Sequence, residues 1–301
     1  MLLMSTPMLR GVYVPLITPF AADGSVALDA IEELAHGYLD AGAAGLVPLG
    51  TTGEAPLLDA DEKAAIVERC GRIGAERGAH VIVGAGSNNT ASTVAAVETY
   101  AAVAGVTHVM VVVPYYVRPS QAGVVAHVRA AADASPVPVI IYNIPARTGR
   151  VLEVPGTLEL AAHPNVVGVK QAVDGIDLAT LEILAGAPRG FALLGGDDPY
   201  LLPTVLMGGA GAICASAHLC TDRFVQMIEC GLAGKVDEGR AHHEALLPVV
   251  KACFAEPNPA VFKAVLHAQG RIPTPDVRLP LLPASDAARD AALAAVDRAT
   301  V

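Results

Sequence analysis

Residues 108–145 read HVMVVVPYYVRPSQAGVVAHVRAAADASPVPVIIYNIP, and this stretch holds two apolar runs, His108 to Pro114 and Val137 to Pro145. A segment with helical spacing, near Gln121 to Ala132, separates the two runs. Both runs are apolar at nearly every position, as expected of parallel strands that are covered on both faces. The stretch therefore predicts a strand–helix–strand unit of a parallel sheet.

The same unit repeats along the chain. The other strand candidates are Val12 to Thr18, Gly45 to Gly50, His80 to Gly86, Val166 to Ala172, Phe191 to Gly196 and Ala210 to Ser216. About eight strand–helix units with right-handed crossovers favour an α/β fold of the closed (β/α)8 TIM barrel type over residues 1–223. The alternative is a doubly wound open sheet, but the first strand lacks a GxGxxG sequence. The helical pattern after Phe224 predicts a C-terminal extension, residues 224–301, packed on the barrel.

The composition narrows the class of protein. Of 301 residues, 53% are hydrophobic, and the formal net charge is −10, so no basic stripe is available for nucleic acid. No apolar run is long enough for a membrane span, and the opening ten residues are too short for a secretory signal, which favours a cytoplasmic protein. Five cysteines without CxxC spacing and nine histidines without HExxH predict neither a disulfide framework nor a metal site.

Active sites of TIM barrels lie at the carboxyl ends of the strands, so the residues at those positions are the candidates. They carry hydroxyls, phenols, one arginine and one lysine: Gly50 to Glu54, Pro114 to Tyr116, Tyr142 and Asn143 with Arg147, Lys170, and Gly195 to Asp198.

Lys170 is the sharpest signal among them. Four of the five lysines fall in helical segments, where a lysine normally covers a solvated face, but Lys170 lies in the apolar run VVGVKQAV. Burial disfavours the ammonium form and leaves a nucleophilic amine, which suits imine formation with a carbonyl substrate. The alternative is a lysine that reaches solvent at the strand end or pairs with an acid.

The other candidates each have a second interpretation. Tyr142 could move protons or simply pack at a strand end. The Gly50–Gly53 loop could hold a carboxylate on its amides and hydroxyls, although such loops are common. Arg147 could bind a second carboxylate in bidentate fashion or be solvated. Asp197 and Asp198 could be an acid–base pair, or a turn and helix cap.

Ser216, His218 and Asp222 do not predict a nucleophilic triad, because the sequence has no GxSxG elbow.

Seven motifs, in order from near residue 11 to about residue 283, resemble the dihydrodipicolinate synthase / N-acetylneuraminate lyase family. They are GTTGEAP (50–56), PYYVRPSQAG (114–123), YNIPARTG (142–149), GVK (168–170), GGDD (195–198), EPNP (256–259) and RLPL (278–281). The resemblance implies a TIM-barrel lyase of the Schiff-base aldolase type that condenses pyruvate with L-aspartate 4-semialdehyde in lysine biosynthesis. It implies no cofactor beyond the covalent lysine–pyruvate imine.

The resemblance also implies roles for individual residues. Lys170 matches the Schiff-base lysine and Tyr142 the proton-relay tyrosine, with Thr51 and Tyr116 completing a hydroxyl chain. Tyr116 is implied to reach the neighbouring subunit's site, which predicts a homo-oligomer, usually a dimer of dimers.

Four residues match positions that contact the substrates. Thr52 matches the pyruvate carboxylate cradle together with Thr51, and Gly196 and Ile213 match backbone positions beside the lysine. Arg147 matches the residue that binds the carboxylate of the semialdehyde.

Two departures bear on the aldehyde. Gln171 stands where the synthases usually carry an acid and is similar to the sialic-acid lyases, and the segment 214–219, CASAHL, also differs. The alternatives are therefore another pyruvate-dependent aldolase, or a lyase or dehydratase of keto-sugar acids, and, in a different class, a non-catalytic ligand-binding relative.

A third departure concerns regulation. Ala60, Lys63 and Ser92 stand at positions that resemble the family's lysine-binding site, where only Asn88 and Tyr115 are kept. We expect weak or absent inhibition by lysine.

Overall fold

The computed structural model describes residues 8–300 and contains eight parallel strands that close into a barrel, with β8 hydrogen-bonded back to β1. The strands are β1 Gly11–Val14, β2 Gly45–Leu46, β3 His80–Gly84, β4 His108–Val112, β5 Val139–Asn143, β6 Val166–Gln171, β7 Ala192–Gly195 and β8 Gly211–Ile213. The predicted TIM barrel is confirmed, and the open-sheet alternative is wrong. Most of the opening ten residues, for which the sequence predicts no secretory signal, lie outside the described part.

Helices surround the barrel and follow its strands. They are α1 Leu28–Asp40, α2 Ala60–Arg77, α3 Thr90–Ala101, α4 Gln121–Ala134, α5 Pro145–Thr148, α6 Val154–Ala161, α7 Leu178–Gly186, α8 Leu201–Leu206, α9 Thr221–Leu232, α10 Val236–Cys253, α11 Ala260–Ala268 and α12 Asp286–Thr300. Helix α9 packs against β1 and β8, and α10 packs against α9 and α12. The boundary predicted after residue 223 therefore falls inside α9, and the helices beyond the eighth strand–helix unit are α10 to α12.

Several strands are shorter than the sequence predicts. β1 ends before Pro15 and β2 ends two residues before Pro48, whereas the apolar runs continue to Thr18 and Gly50. Proline lacks the amide hydrogen that a ladder requires, so the chain leaves the sheet there. The residues freed from the ladder form loops at the carboxyl end of the barrel.

The side chains of β5 and β6 alternate between the barrel interior and the helices. Ile140 and Tyr142 pack inward with Met110, while Val139 and Ile141 pack outward with the helix layer. Because Lys170 pairs in register with Tyr142, the sheet directs the lysine side chain inward as well.

No helix in residues 8–300 is long and apolar enough to cross a membrane. The five cysteines are unpaired, and four of them are buried.

Candidate active site

A cavity of about 730 Å³ opens at the carboxyl ends of the strands. This volume suits a small-molecule site. Seven of the eight predicted site residues line it: Thr51, Thr52, Tyr142, Arg147, Lys170, Gly196 and Ile213. The structure thus gathers, in one cavity, residues from five strand ends that are spread over more than half of the sequence.

Lys170 enters this cavity from β6 and is only 6% exposed. Its Nζ lies 4.3 Å from the centroid of the Tyr142 ring, and within residues 8–300 it forms no ion pair with a carboxylate. The structure therefore shows neither of the alternatives for a strand lysine, exposure at the strand end or pairing with an acid. The amine is buried, faces the cavity and lies against an aromatic ring.

Gly196 provides the room that the lysine needs. A Cβ atom at this position would lie 3.0 Å from Cε of Lys170 and 2.9 Å from Cβ of Ala172. Its amide donates to the carbonyl of Gln171 at 2.8 Å, so the backbone of the β7 loop passes close beside the lysine. Ile213, the last residue of β8, lines the same side of the cavity.

Thr51 and Thr52 lie on a single 3₁₀ turn, Thr51–Gly53, at the end of the β2 loop. The hydroxyl of Thr18 donates to the carbonyl of Gly53 at 2.7 Å and holds this turn against the β1 loop. Both threonines line the cavity, where hydroxyls and backbone amides so close together suit a carboxylate.

Arg147 and Tyr116 differ in how the single chain places them. Arg147 lies on the short helix α5, is exposed, and turns toward the cavity with no ion-pair partner in the described chain. Tyr116 has a φ of 70°, is 87% exposed and does not line the cavity. A single chain therefore leaves the Tyr116 hydroxyl outside the site.

The two aspartates after β7 brace different loops. Asp197 accepts hydrogen bonds from the amides of Asp174 and Gly175, at 2.7 and 3.4 Å. Asp198 accepts from the amide of Ser216 at 2.7 Å. Burial raises the pKa of both carboxyl groups. Each carboxylate binds backbone amides of another loop, and neither caps the short helical turn Asp198–Tyr200, so the structure supports bracing of loops over an acid–base pair or a helix cap.

His218 does not serve Ser216 as a base. Its Nε2 accepts from the amide of Ile17 at 3.1 Å, so Nδ1 carries the proton and donates to the carbonyl of Ala215 at 2.7 Å. Burial lowers the pKa of this histidine to about 4. Asp222 is exposed and makes no contact with the imidazole, so no triad forms in this region.

Gln171 points away from the cavity, into the space between β6 and α7. Its Oε1 accepts from Asn143 at 3.1 Å, and its Nε2 donates to the hydroxyl of Thr180 at 3.3 Å. It does not line the cavity. Residues next to each other on a strand face opposite sides, so Gln171 has no direct contact with the cavity, and its bearing on aldehyde specificity stays a prediction.

Sequence reasoning missed the wall that the C-terminal helices supply. Leu247, Val250 and Lys251 of α10 line the cavity mouth, together with Phe254, directly after this helix, and Asn258. Nδ2 of Asn258 donates to the Thr52 hydroxyl at 3.1 Å. The EPNP motif, which contains Asn258, was the one available signal, but it was interpreted only as a family marker.

One lysine contradicts the expectation of solvated helix faces. Lys263, on α11, is completely buried and pairs with Glu54. Helical spacing alone did not reveal this, since α11 is buried along nearly its whole length. In residues 8–300, no group of three or more histidine, cysteine, aspartate or glutamate side chains could hold a metal ion.

Comparisons with known proteins agree with this geometry. The model of the dihydrodipicolinate synthetase family matches residues 8–299. The 4-hydroxy-tetrahydrodipicolinate synthase of Neisseria gonorrhoeae is 39% identical over 93% of this chain and 94% of its own, and that of Moorella thermoacetica is 42% identical over 90% and 91%. The dihydrodipicolinate synthase of Acinetobacter baumannii, in a chloride-inhibited crystal structure complexed with pyruvate, matches with a TM-score of 0.92 and 28% identity. That match covers 97% of this chain and 99% of the other.

Proposed function

The chain belongs to the dihydrodipicolinate synthetase family, and we propose that its cavity condenses pyruvate with L-aspartate 4-semialdehyde to 4-hydroxy-tetrahydrodipicolinate. This is the activity of curated relatives that are about 40% identical over nine-tenths of the chain. The single observation that carries the proposal is the buried, unpaired amine of Lys170 beside the ring of Tyr142. The protein is thus a lyase that works in the formation of diaminopimelate and lysine.

Catalysis begins when the neutral amine of Lys170 attacks the keto carbon of pyruvate. The carbinolamine loses water, and the hydroxyl of Tyr142 donates the proton that the departing hydroxide needs. The protonated imine nitrogen then withdraws electrons, so the Tyr142 phenolate takes a methyl proton from the bound pyruvate and an enamine forms. The enamine carbon attacks the aldehyde carbon, and transimination or hydrolysis frees the lysine. The chemistry uses no separate cofactor.

The remaining cavity residues hold the two substrates. Thr51 and Thr52 bind the pyruvate carboxylate, and Gly196 and Ile213 present backbone groups beside the imine. Arg147 binds the carboxylate of the semialdehyde, because its guanidinium fork lies at the cavity and has no ionic partner among residues 8–300.

Tyr116 serves a neighbouring copy of the chain. Its exposed ring and its position outside the cavity fit a side chain that completes the hydroxyl chain of another subunit. The active form is then a homo-oligomer, and the proposed assembly is a dimer of dimers.

Borohydride reduction in the presence of pyruvate tests the proposal directly. We expect one pyruvate-derived adduct per chain, mapped by mass spectrometry to Lys170 and absent in Lys170→Ala. Lys251→Ala is the matched control, because Lys251 lines the same cavity on an exposed helix face and should leave labelling intact. Absence of an adduct in the parent protein would contradict the catalytic assignment and support a non-catalytic relative.

A panel of aldehydes then tests the second substrate. We expect consumption of aspartate semialdehyde in preference to sialic-acid precursors and other sugars or hydroxy-oxo acids. If pyruvate labels Lys170 but the protein does not consume the semialdehyde, the Schiff-base assignment stands. The function is then that of another pyruvate-dependent aldolase.

A further inference from the structure

A buried ion pair lies directly behind the threonine turn. Nζ of Lys263 lies 2.5 Å from Oε1 of Glu54, and both side chains are 0% exposed. The same ammonium donates to the carbonyl of Asp276 at 2.7 Å and lies 4.0 Å from the centroid of the Phe20 ring. The second carboxylate oxygen of Glu54 accepts from the amide of Arg278 at 2.9 Å. The carboxylate of Glu54 is thus held entirely by the C-terminal part of the chain.

Glu54 needs such support because of its backbone. It follows the Thr51–Gly53 turn with a φ of 55°, in the left-handed region that residues with a Cβ atom rarely adopt. Leu49, before the turn, has a φ of 58°. A loop with two such residues persists only where the surrounding structure holds it. The strongest contacts that hold Glu54 are those of its carboxylate.

We infer that the Lys263–Glu54 pair positions the threonine turn for the carboxylate of pyruvate, an inference that rests on the function proposed above. The pair fixes the backbone after the turn, while Asn258, from the same C-terminal segment, fixes the Thr52 hydroxyl. Without the pair, Glu54 relaxes out of the left-handed region and carries the amides of the turn with it. Lys170 lies on β6, outside these contacts, so the lysine keeps its place while pyruvate binding weakens. The rate at saturating pyruvate also falls, because Thr51 on the same turn belongs to the implied hydroxyl chain.

The test variant removes both charges together. A single substitution would leave an uncompensated buried charge and threaten folding, whereas replacing a whole buried pair is often tolerated. Lys263→Met/Glu54→Gln keeps both volumes and an acceptor for the Arg278 amide. The matched control is Arg271→Met, which cuts another link from the C-terminal segment, the 2.9 Å bond from Arg271 to the carbonyl of His218. That link does not touch the threonine turn.

Three quantities decide the matter: the pyruvate concentration for half-maximal borohydride labelling of Lys170, kcat, and Tm. In the double variant we expect the half-labelling concentration to rise about tenfold or more, as for misplaced hydrogen bonds to a charged group, and kcat to fall because the Thr51 hydroxyl moves with the turn. The control should label like the parent even where its Tm falls.

Each other outcome overturns the inference. If the double variant is labelled like the parent, the pair does not position the turn. If the half-labelling concentration rises equally in Arg271→Met, the effect of the double variant is general destabilisation. In both cases the labelled parent leaves the proposed function standing. A parent that is not labelled at all overturns the proposed function and this inference together.

Discussion

Tyr142 and Lys170 are register partners on neighbouring strands, and the lysine Nζ lies 4.3 Å from the centre of the tyrosine ring. A ring face attracts cations, so this contact favours the protonated imine that forms on this nitrogen. The same residue therefore provides two separable effects, a ring that contacts the nitrogen and a hydroxyl that can move protons.

Tyr142→Phe separates these effects, because it keeps the ring and removes the hydroxyl. We expect kcat to fall by about 10²- to 10⁴-fold, the usual contribution of a proton-transferring side chain. Labelling of Lys170 by pyruvate and borohydride should become slower and still reach completion. Steady-state and labelling kinetics measure both, with Tyr100→Phe on α3 as the control. An unchanged kcat would remove Tyr142 from the proton relay.

Gln171→Glu tests whether the residue after the lysine selects the aldehyde. The new carboxylate would be buried near Asp177, whose Oδ1 already accepts from the Thr180 hydroxyl at 2.7 Å. We expect a loss of about 1–3 kcal/mol in stability, typical of a poorly satisfied buried polar group. The ratio of kcat/KM between two aldehydes should stay within twofold, roughly the effect of a residue without substrate contact. A switch in aldehyde preference would contradict the outward position of this side chain.

The apolar runs were enough to predict the barrel, because a parallel strand covered on both faces is apolar at nearly every position. Lys170 was predictable for the same reason, since a charged residue in such a run stands out. The ends of β1 and β2 were not, because the runs continue past the prolines into loops whose apolar residues are buried for other reasons.

The contribution of the C-terminal helices to the cavity wall could not be predicted from the hydrophobic pattern of the sequence. An amphipathic sequence shows that α10 has a buried face but not that its residues Val250 and Lys251 line the cavity. Lys263 and Glu54 are separated by 209 positions, and no local periodicity links an ammonium to a carboxylate over that distance. Alternation along β6 could have shown that Gln171 faces away from the cavity, because it places consecutive side chains on opposite faces.

Two buried histidines make the fold sensitive to acid. Burial lowers the pKa of His108 to about 3 and that of His218 to about 4, below their ordinary 6.5. Below about pH 6.5 the unfolded chain therefore binds protons that the folded chain does not bind. The free energy of unfolding falls as the pH drops toward 4. At pH 5 each of these two histidines lowers the free energy of unfolding by about 2 kcal/mol. This is because pH 5 lies roughly 1.5 units below the ordinary pKa of 6.5, and each unit corresponds to about 1.36 kcal/mol.

His108→Gln should reduce the loss between pH 7 and pH 5 by about 2 kcal/mol, its own share. His218 keeps contributing, as do the other histidines with a lowered pKa, His80, His127 and His243. Denaturant unfolding at each pH measures it. His267→Gln, on an exposed position of α11, is the control and should keep the parent's slope. A slope in His108→Gln equal to that of the parent would show that His108 does not contribute.

Lysine should inhibit weakly or not at all. Ala60 and Lys63 begin α2 and Ser92 lies in the first turn of α3, where the resemblance implies histidines and a glutamate in lysine-sensitive relatives. Without those side chains the ammonium groups of lysine have few partners. A titration of the parent activity with lysine measures this, and strong inhibition at sub-millimolar concentration would contradict it.

Tyr116 and Lys170 can be assigned to the same or to different subunits by mixing two defective chains. Lys170→Ala and Tyr116→Phe are co-expressed with different tags, and the hybrid dimer is isolated by its two tags. If Tyr116 acts in the neighbouring site, one site of the hybrid holds both defects and the other holds none, because the intact Lys170 receives the intact Tyr116. The hybrid should then recover about half of the parent's kcat per dimer, by the count of intact sites. If Tyr116 acts in its own subunit, neither site is complete, and the activity stays at half of the low value of Tyr116→Phe. Recovery of activity therefore requires that the Tyr116 ring, which is 87% exposed in the single chain, faces a second copy of the chain.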